Sequence, residues 1–87
     1  SKKILVGQIK KFIRDKTKQK EQTSNKSNSR NHVINLMVKE EVIDQGKKKL
    51  AKEVLTQLIS EDEILPDVEL GWKNSARVEV KGLRVNE

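Results

Sequence analysis

Apolar residues recur along this chain with two different periods, and the change between them separates its parts. From Lys2 to Asp15, Leu5, Ile9, Phe12 and Ile13 fall on one side of a 3.6-residue repeat, with Val6 at the edge and Lys3, Lys10, Lys11 and Arg14 on the remaining face. The spacing predicts a basic amphipathic helix. A strand over Lys2 to Ile13 is the alternative, because Gly7 costs a helix interior about 1 kcal/mol and the β-branched residues suit a strand. The following fifteen residues, Lys16 to Arg30, contain no apolar side chain. Nothing in them offsets the entropy of ordering, so a mobile basic loop is expected over 16–30.

Asn31 to Gln45 fits both periods. As a helix it would bring Val33, Met37 and Ile43 near one side and stop at Gly46. As a strand it would align His32, Ile34, Leu36, Val38 and Val42, interrupted by Glu40, with Asn35, Lys39 and Glu41 pointing away. A strand from Val33 to Val38 is the expectation. Lys47 to Ile59 is the clearest element: Leu50, Ala51, Val54, Leu55, Leu58 and Ile59 lie at helical spacing, opposite Lys48, Lys49, Lys52, Glu53 and Gln57. That helix must end before Pro66, which drives Leu65 out of the helical region.

The remainder alternates as a strand does. Val68, Leu70 and Trp72 share one parity, Lys73-Asn74-Ser75 supply turn chemistry, and Val78 and Val80 follow, predicting a β-hairpin over about 67–85. Leu83 and Val85 are out of phase with Val80, which calls for a bulge or second turn at Lys81-Gly82. Together these elements predict one small α+β domain spanning 1–87, with a sheet of the first, second and last strands packed on helix 47–59. A winged DNA-binding layout is the competing architecture. Its difficulty is the turn: with Gly46 there, Lys47 and Lys52 fall where a helix-turn-helix needs apolar packing.

Charge sharpens the functional question. Residues 1–30 hold ten of the nineteen Lys and Arg residues and only two acids, a formal +8, whereas 31–87 carry −2. A polyanion is therefore an expected partner. Lys10, Lys11, Arg14, Lys16, Lys18 and Lys20 are candidates for phosphate contact, each releasing condensed counterions. Lys47, Lys48, Lys49 and Lys52 form a second cluster at a helix start, where backbone N–H groups already favour anions. Lys73, Arg77, Lys81 and Arg84, with Asn74 at the tip, form a third on the hairpin. DNA is preferred over RNA, because base stacking in single-stranded RNA needs exposed aromatics and the chain has only Phe12 and Trp72. Alternation with Val68 and Leu70 assigns Trp72 to a core or interface.

Other functions find little to rest on. Cysteine is absent, which removes disulfides, thiol catalysis and cysteine-based zinc sites. His32 is the only histidine and no phosphate-binding glycine loop occurs, so neither an enzyme nor a cofactor is expected. Glu61, Asp62, Glu63, Asp67 and Glu69 lack the spacing of a calcium loop, and no metal is expected. These acids could instead receive the basic N-terminal region and hold it back from a polyanion. No apolar run approaches the roughly 20 residues of a membrane span, and no apolar signal core is present. The expected setting is cytoplasmic or nucleoid-associated, not secreted. A short core makes a homodimer plausible on physical grounds. A protein-interaction module using Leu50, Val54 and Leu58 or the Ile9-Phe12-Ile13 stripe is the alternative from another class, and a helix lying on an anionic membrane is a third reading.

Overall fold

The computed structural model describes residues 2–19 and 29–87. Three helices precede one antiparallel hairpin: α1 (Lys2–Lys18), α2 (Ser29–Lys39), a 3-10 turn at Gln45–Lys47, α3 (Lys48–Ser60), β1 (Ile64–Lys73) and β2 (Glu79–Val85). The domain is α+β, with a helical first element, a helix close to 47–59 and a C-terminal hairpin, as the pattern of residues predicts. Of the loop expected at 16–30, Lys16 to Lys18 form the last turn of α1, while Ser29 and Arg30 open α2. The rest of that segment, 20–28, lies outside the described residues.

The strand expected at Val33–Val38 is a helix. Val33, Ile34 and Met37 are all buried, and a strand would have turned Ile34 away from the other two. The expected three-strand sheet is therefore not formed; the sheet has two strands, β1 and β2.

α2 also stops well before Gly46. Glu40 N–H donates to the Leu36 carbonyl at 2.8 Å, Glu41 N–H to Val38 at 3.0 Å and Val42 N–H to Met37 at 2.8 Å. Glu41 takes the left-handed conformation that this closure demands, with φ 60°. α3 closes the same way, with Glu63 N–H on the Leu58 carbonyl at 2.9 Å, Asp62 N–H on Ile59 at 3.1 Å, and Asp62 at φ 59°. Glycine normally fills such a position, since a side chain there costs about 1–2 kcal/mol.

One aliphatic core joins every element. α1 contributes Leu5, Ile9, Phe12 and Ile13; α2 Val33, Ile34 and Met37; the following turn Ile43; α3 Ala51, Val54, Leu55 and Leu58; and the hairpin base Ile64, Leu83 and Val85. Leu70 and Val80 are buried too, yet lie outside that cluster, on the outer half of the hairpin. Trp72 is partly buried there.

β2 itself runs without an extra residue, so Val80 faces away from Leu83 and Val85, and the irregularities lie across the ladder. Leu65 pairs with Arg84 and Val68 with Gly82, so β1 holds one extra residue where Pro66 brings no N–H and Asp67 adopts φ 54°. Further extra residues separate Glu69, paired with Lys81, from Lys73, paired with Glu79, and Gly71 lies among them at φ 91°. The bulges thus belong to Pro66-Asp67 and Gly71, and not to Lys81-Gly82.

Replacing Glu41 or Asp62 with glycine relieves the left-handed strain at each helix end. Each variant is expected to gain about 1 kcal/mol after the added unfolded-chain entropy is subtracted, measured by urea denaturation. A loss of stability in both would contradict this account of the helix ends.

Candidate nucleic-acid interface

The helical stripe that buries α1 dictates where its cations go. Lys10 Nζ donates to Glu63 Oε1 at 2.6 Å, at the start of the hairpin. Arg14 pairs with Glu87 through Nε and Nη2, both at 2.8 Å. Lys16 is buried, reaches Glu40 in the α2–α3 turn at 2.8 Å, and sets its ammonium 5.2 Å from the centre of the Phe12 ring. Lys11 pairs with Asp15 one turn along at 3.0 Å.

Four of the N-terminal candidates are thus engaged inside the molecule. They differ in how readily they could turn to a phosphate. Lys16 would have to leave Glu40 and bring its apolar stem into water. Lys11 is exposed, and its pair is of the kind worth only a few tenths of a kcal/mol. Lys18 is exposed without an ion pair, and Lys20 lies outside the described residues.

The second and third clusters are different. Among the described residues, the side chains of Lys47, Lys48, Lys49 and Lys52 form no ion pair or hydrogen bond, and neither do those of Lys73 and Arg77. α3 is responsible for the first group. Its apolar stripe of Ala51, Val54, Leu55 and Leu58 faces the core, so Lys49, Lys52, Glu53, Thr56, Gln57 and Ser60 share the opposite, exposed face and line one shallow groove. The difficulty with Lys47 and Lys52 disappears, because the chain turns at 40–44 and neither residue has to pack.

Backbone amides add less at this helix start than expected. Lys47 N–H donates to the Asp44 carbonyl at 2.9 Å and Lys48 N–H to Gln45, so the 3-10 turn already uses both. The lysine side chains are what this end of α3 offers an anion.

At the hairpin tip, Asn74 builds the turn. Its Oδ1 accepts from Ala76 N–H at 2.9 Å and Val78 N–H at 3.1 Å, while its own N–H donates to Val78 at 2.9 Å. This leaves its carbonyl unable to read a base without dismantling the turn. Arg77 is exposed and left-handed, with φ 61°.

The lysine runs alone do not point to the neutral and acidic positions of α3. Glu53, Thr56, Gln57 and Ser60 belong to the same face; the helical repeat from Lys49 onward identifies them. Lys2 joins them from α1, lining a neighbouring groove with Glu53, Gln57 and Glu61 over a floor of Val6, Val54 and Leu58. Gln57 is already committed in part, its Nε2 donating to Glu61 at 2.7 Å.

Among the described residues, the acidic group after α3 forms an ion pair with the basic region through Lys10 and Glu63, from a packed helix. The hydrogen bond from Lys10 and its charge hold the Glu63 carboxyl below its usual 4.5, against a smaller opposing effect of burial. Among the described residues, no three His, Cys, Asp or Glu side chains gather closely enough to hold a metal ion. No helix among them is long and apolar enough to cross a membrane. The chain matches no protein-family model, no curated protein and no solved structure in comparisons with each.

The Glu63 shift fixes a direction for acid stability. Folded Glu63 binds its proton less tightly than in the unfolded chain, so its contribution is full above about pH 4.5 and disappears as pH falls through the folded value. Glu63→Gln is expected to lower stability at pH 7 and to flatten the decline below pH 4.5, compared by denaturant titration across pH. An unchanged acid slope would mean that the pair does not form in solution.

Proposed function

We propose that this protein binds duplex DNA without catalysing a reaction, inserting α3 into the major groove and laying the β1–β2 hairpin on the backbone or the adjacent minor groove. The observation that supports this most is the division of its cations. Four of the seven cations of α1, Lys10, Lys11, Arg14 and Lys16, are matched by carboxylates, whereas those at the start of α3 and at the hairpin tip have no partner among the described residues. The element order agrees with this reading: two helices joined by a turn, then a hairpin, is the layout of a winged DNA-binding domain, with the second helix of the pair as the reading element.

The interface proposed from the sequence shifts accordingly. Lys47, Lys48, Lys49 and Lys52 contact phosphates, Lys73 and Arg77 do so from the hairpin, and Lys18 adds a contact from α1 if the duplex reaches it. In this proposal the protein has an accessory or regulatory role in the cytoplasm or on the nucleoid. Two copies acting as a homodimer would read half-sites one helical turn apart.

Fluorescence-anisotropy titrations with duplex DNA, single-stranded DNA and duplex RNA, each at several salt concentrations, test the proposal. Duplex DNA should bind most tightly, with affinity falling steeply as salt rises. Lys49→Ala combined with Lys52→Ala should reduce the log–log salt slope by about 2, near 0.9 per phosphate contact, while Lys11→Ala leaves it almost unchanged. Absence of binding to all three at low salt would refute the proposal and favour the protein-interaction reading.

Arg77 gives an independent check. Arg77→Gly removes a left-handed side chain, so the melting temperature should hold or rise while duplex affinity falls several-fold. Weakened binding accompanied by a matching loss of stability would argue that Arg77 serves the fold.

A further inference from the structure

Glu53 stands where the cationic part of the exposed face of α3 ends. It is exposed, one turn beyond Lys49 and next to Lys52, and it forms no hydrogen bond or ion pair with any described residue. The order along the helix explains the missing pair with Lys49: lysine preceding glutamate by four residues is the less favourable orientation with respect to the helix dipole. Its carboxylate, which lines the adjoining groove with Lys2, Glu61 and Glu63, opposes the approach of a phosphate backbone and weakens the attraction that Lys49 and Lys52 create.

The chemistry of a duplex restricts what can satisfy this group. An ionised carboxylate only accepts hydrogen bonds, and phosphates offer it no donor. In the major groove the donors are the exocyclic amino groups of cytosine and adenine. The adenine amino group lies between two acceptors, its own N7 and the O4 of the paired thymine, which repel a carboxylate. The cytosine amino group has an acceptor on one side only, the O6 of the paired guanine. The neighbours of Glu53 do not compete for that position: Gln57 is drawn toward Glu61, and Lys49 and Lys52 are donors themselves.

We propose that Glu53 sets the sequence preference of this protein by accepting a hydrogen bond from the N4 amino group of a cytosine in the major groove, its charge penalising duplexes that lack that group at the facing position. The inference rests on the reading of α3 as the helix that enters duplex DNA. Specificity then comes from repulsion at wrong sites together with attraction at the right one.

Selection from a pool of duplexes with a randomised central segment tests this, using the full chain as wild type, Glu53→Gln and Glu53→Ala, with circular dichroism to confirm folding. Wild type should enrich cytosine at one fixed position. Glu53→Ala should lose the preference at that position alone and bind random duplex several-fold more tightly at low salt. Glu53→Gln should move the preference at the same position toward adenine, because an amide can both donate to N7 and accept from N6. Retention of the same cytosine by both variants would overturn the inference, as would wild-type binding with no base preference. Either result would leave duplex binding intact. Failure of wild type to bind any duplex would instead refute the underlying reading of α3, and this inference with it.

Discussion

Burial of one aliphatic stripe on α1 holds the rest of the molecule in place. The chain has only two aromatic residues, so no single large side chain can anchor a core. Leu5, Ile9, Phe12 and Ile13 therefore join a cluster of many smaller side chains, with α1 lying against α3 and β2. The cations flanking that stripe then reach three separate places: Glu40 between α2 and α3, Glu63 at the start of β1, and Glu87 beyond β2. α3 and the hairpin are consequently oriented by their common attachment to α1. Asn86 reinforces the junction, its N–H donating to the Glu63 carbonyl at 2.9 Å and its Nδ2 to the Asp62 carbonyl at 2.8 Å.

This arrangement changes the meaning of the basic N-terminal region. By composition it is the most positive part of the chain, and an unfolded view would make it the main attraction for a polyanion. Folding narrows the difference, because packing α1 brings carboxylates distant in sequence onto Lys10, Arg14 and Lys16, while Lys2, Lys3 and Lys18 pair with no described residue. Unpaired cations then stand at the start of α3 and on the hairpin as well as on α1.

The sequence revealed those elements whose periodicity permits a single interpretation. α3 was legible because Leu50, Ala51, Val54, Leu55, Leu58 and Ile59 fit one helical face and no strand face. The hairpin was legible from alternation on both sides of Asn74. α2 was not, since its apolar residues occupy both parities, and the deciding influence is tertiary: Val33, Ile34 and Met37 are all buried in the common core, with α2 packed on α3. Its end was obscured for a local reason: Glu41 occupies the left-handed position where glycine is the usual signal, and Gly46 drew attention instead. In the candidate site the lysines were visible but their partners were not. Lys10 and Glu63 are 53 positions apart and Arg14 and Glu87 are 73 apart, separations that no local pattern encodes.

The placement of Leu70 and Val80 outside the central cluster has a consequence for how the molecule moves. These two side chains are buried on the outer hairpin, apart from the cluster that Ile64 and Leu83 join. Opening that outer part exposes Leu70 and Val80 without disturbing Ile9, Ile34 or Leu55. Its amides therefore exchange with solvent through a local opening that requires much less free energy than global unfolding, while those of α1 and α3 wait for the whole domain to open. A partner that grips Arg77 at the tip would slow exchange throughout the outer hairpin, so binding there would be recorded as a gain in order at the most weakly held part of the chain.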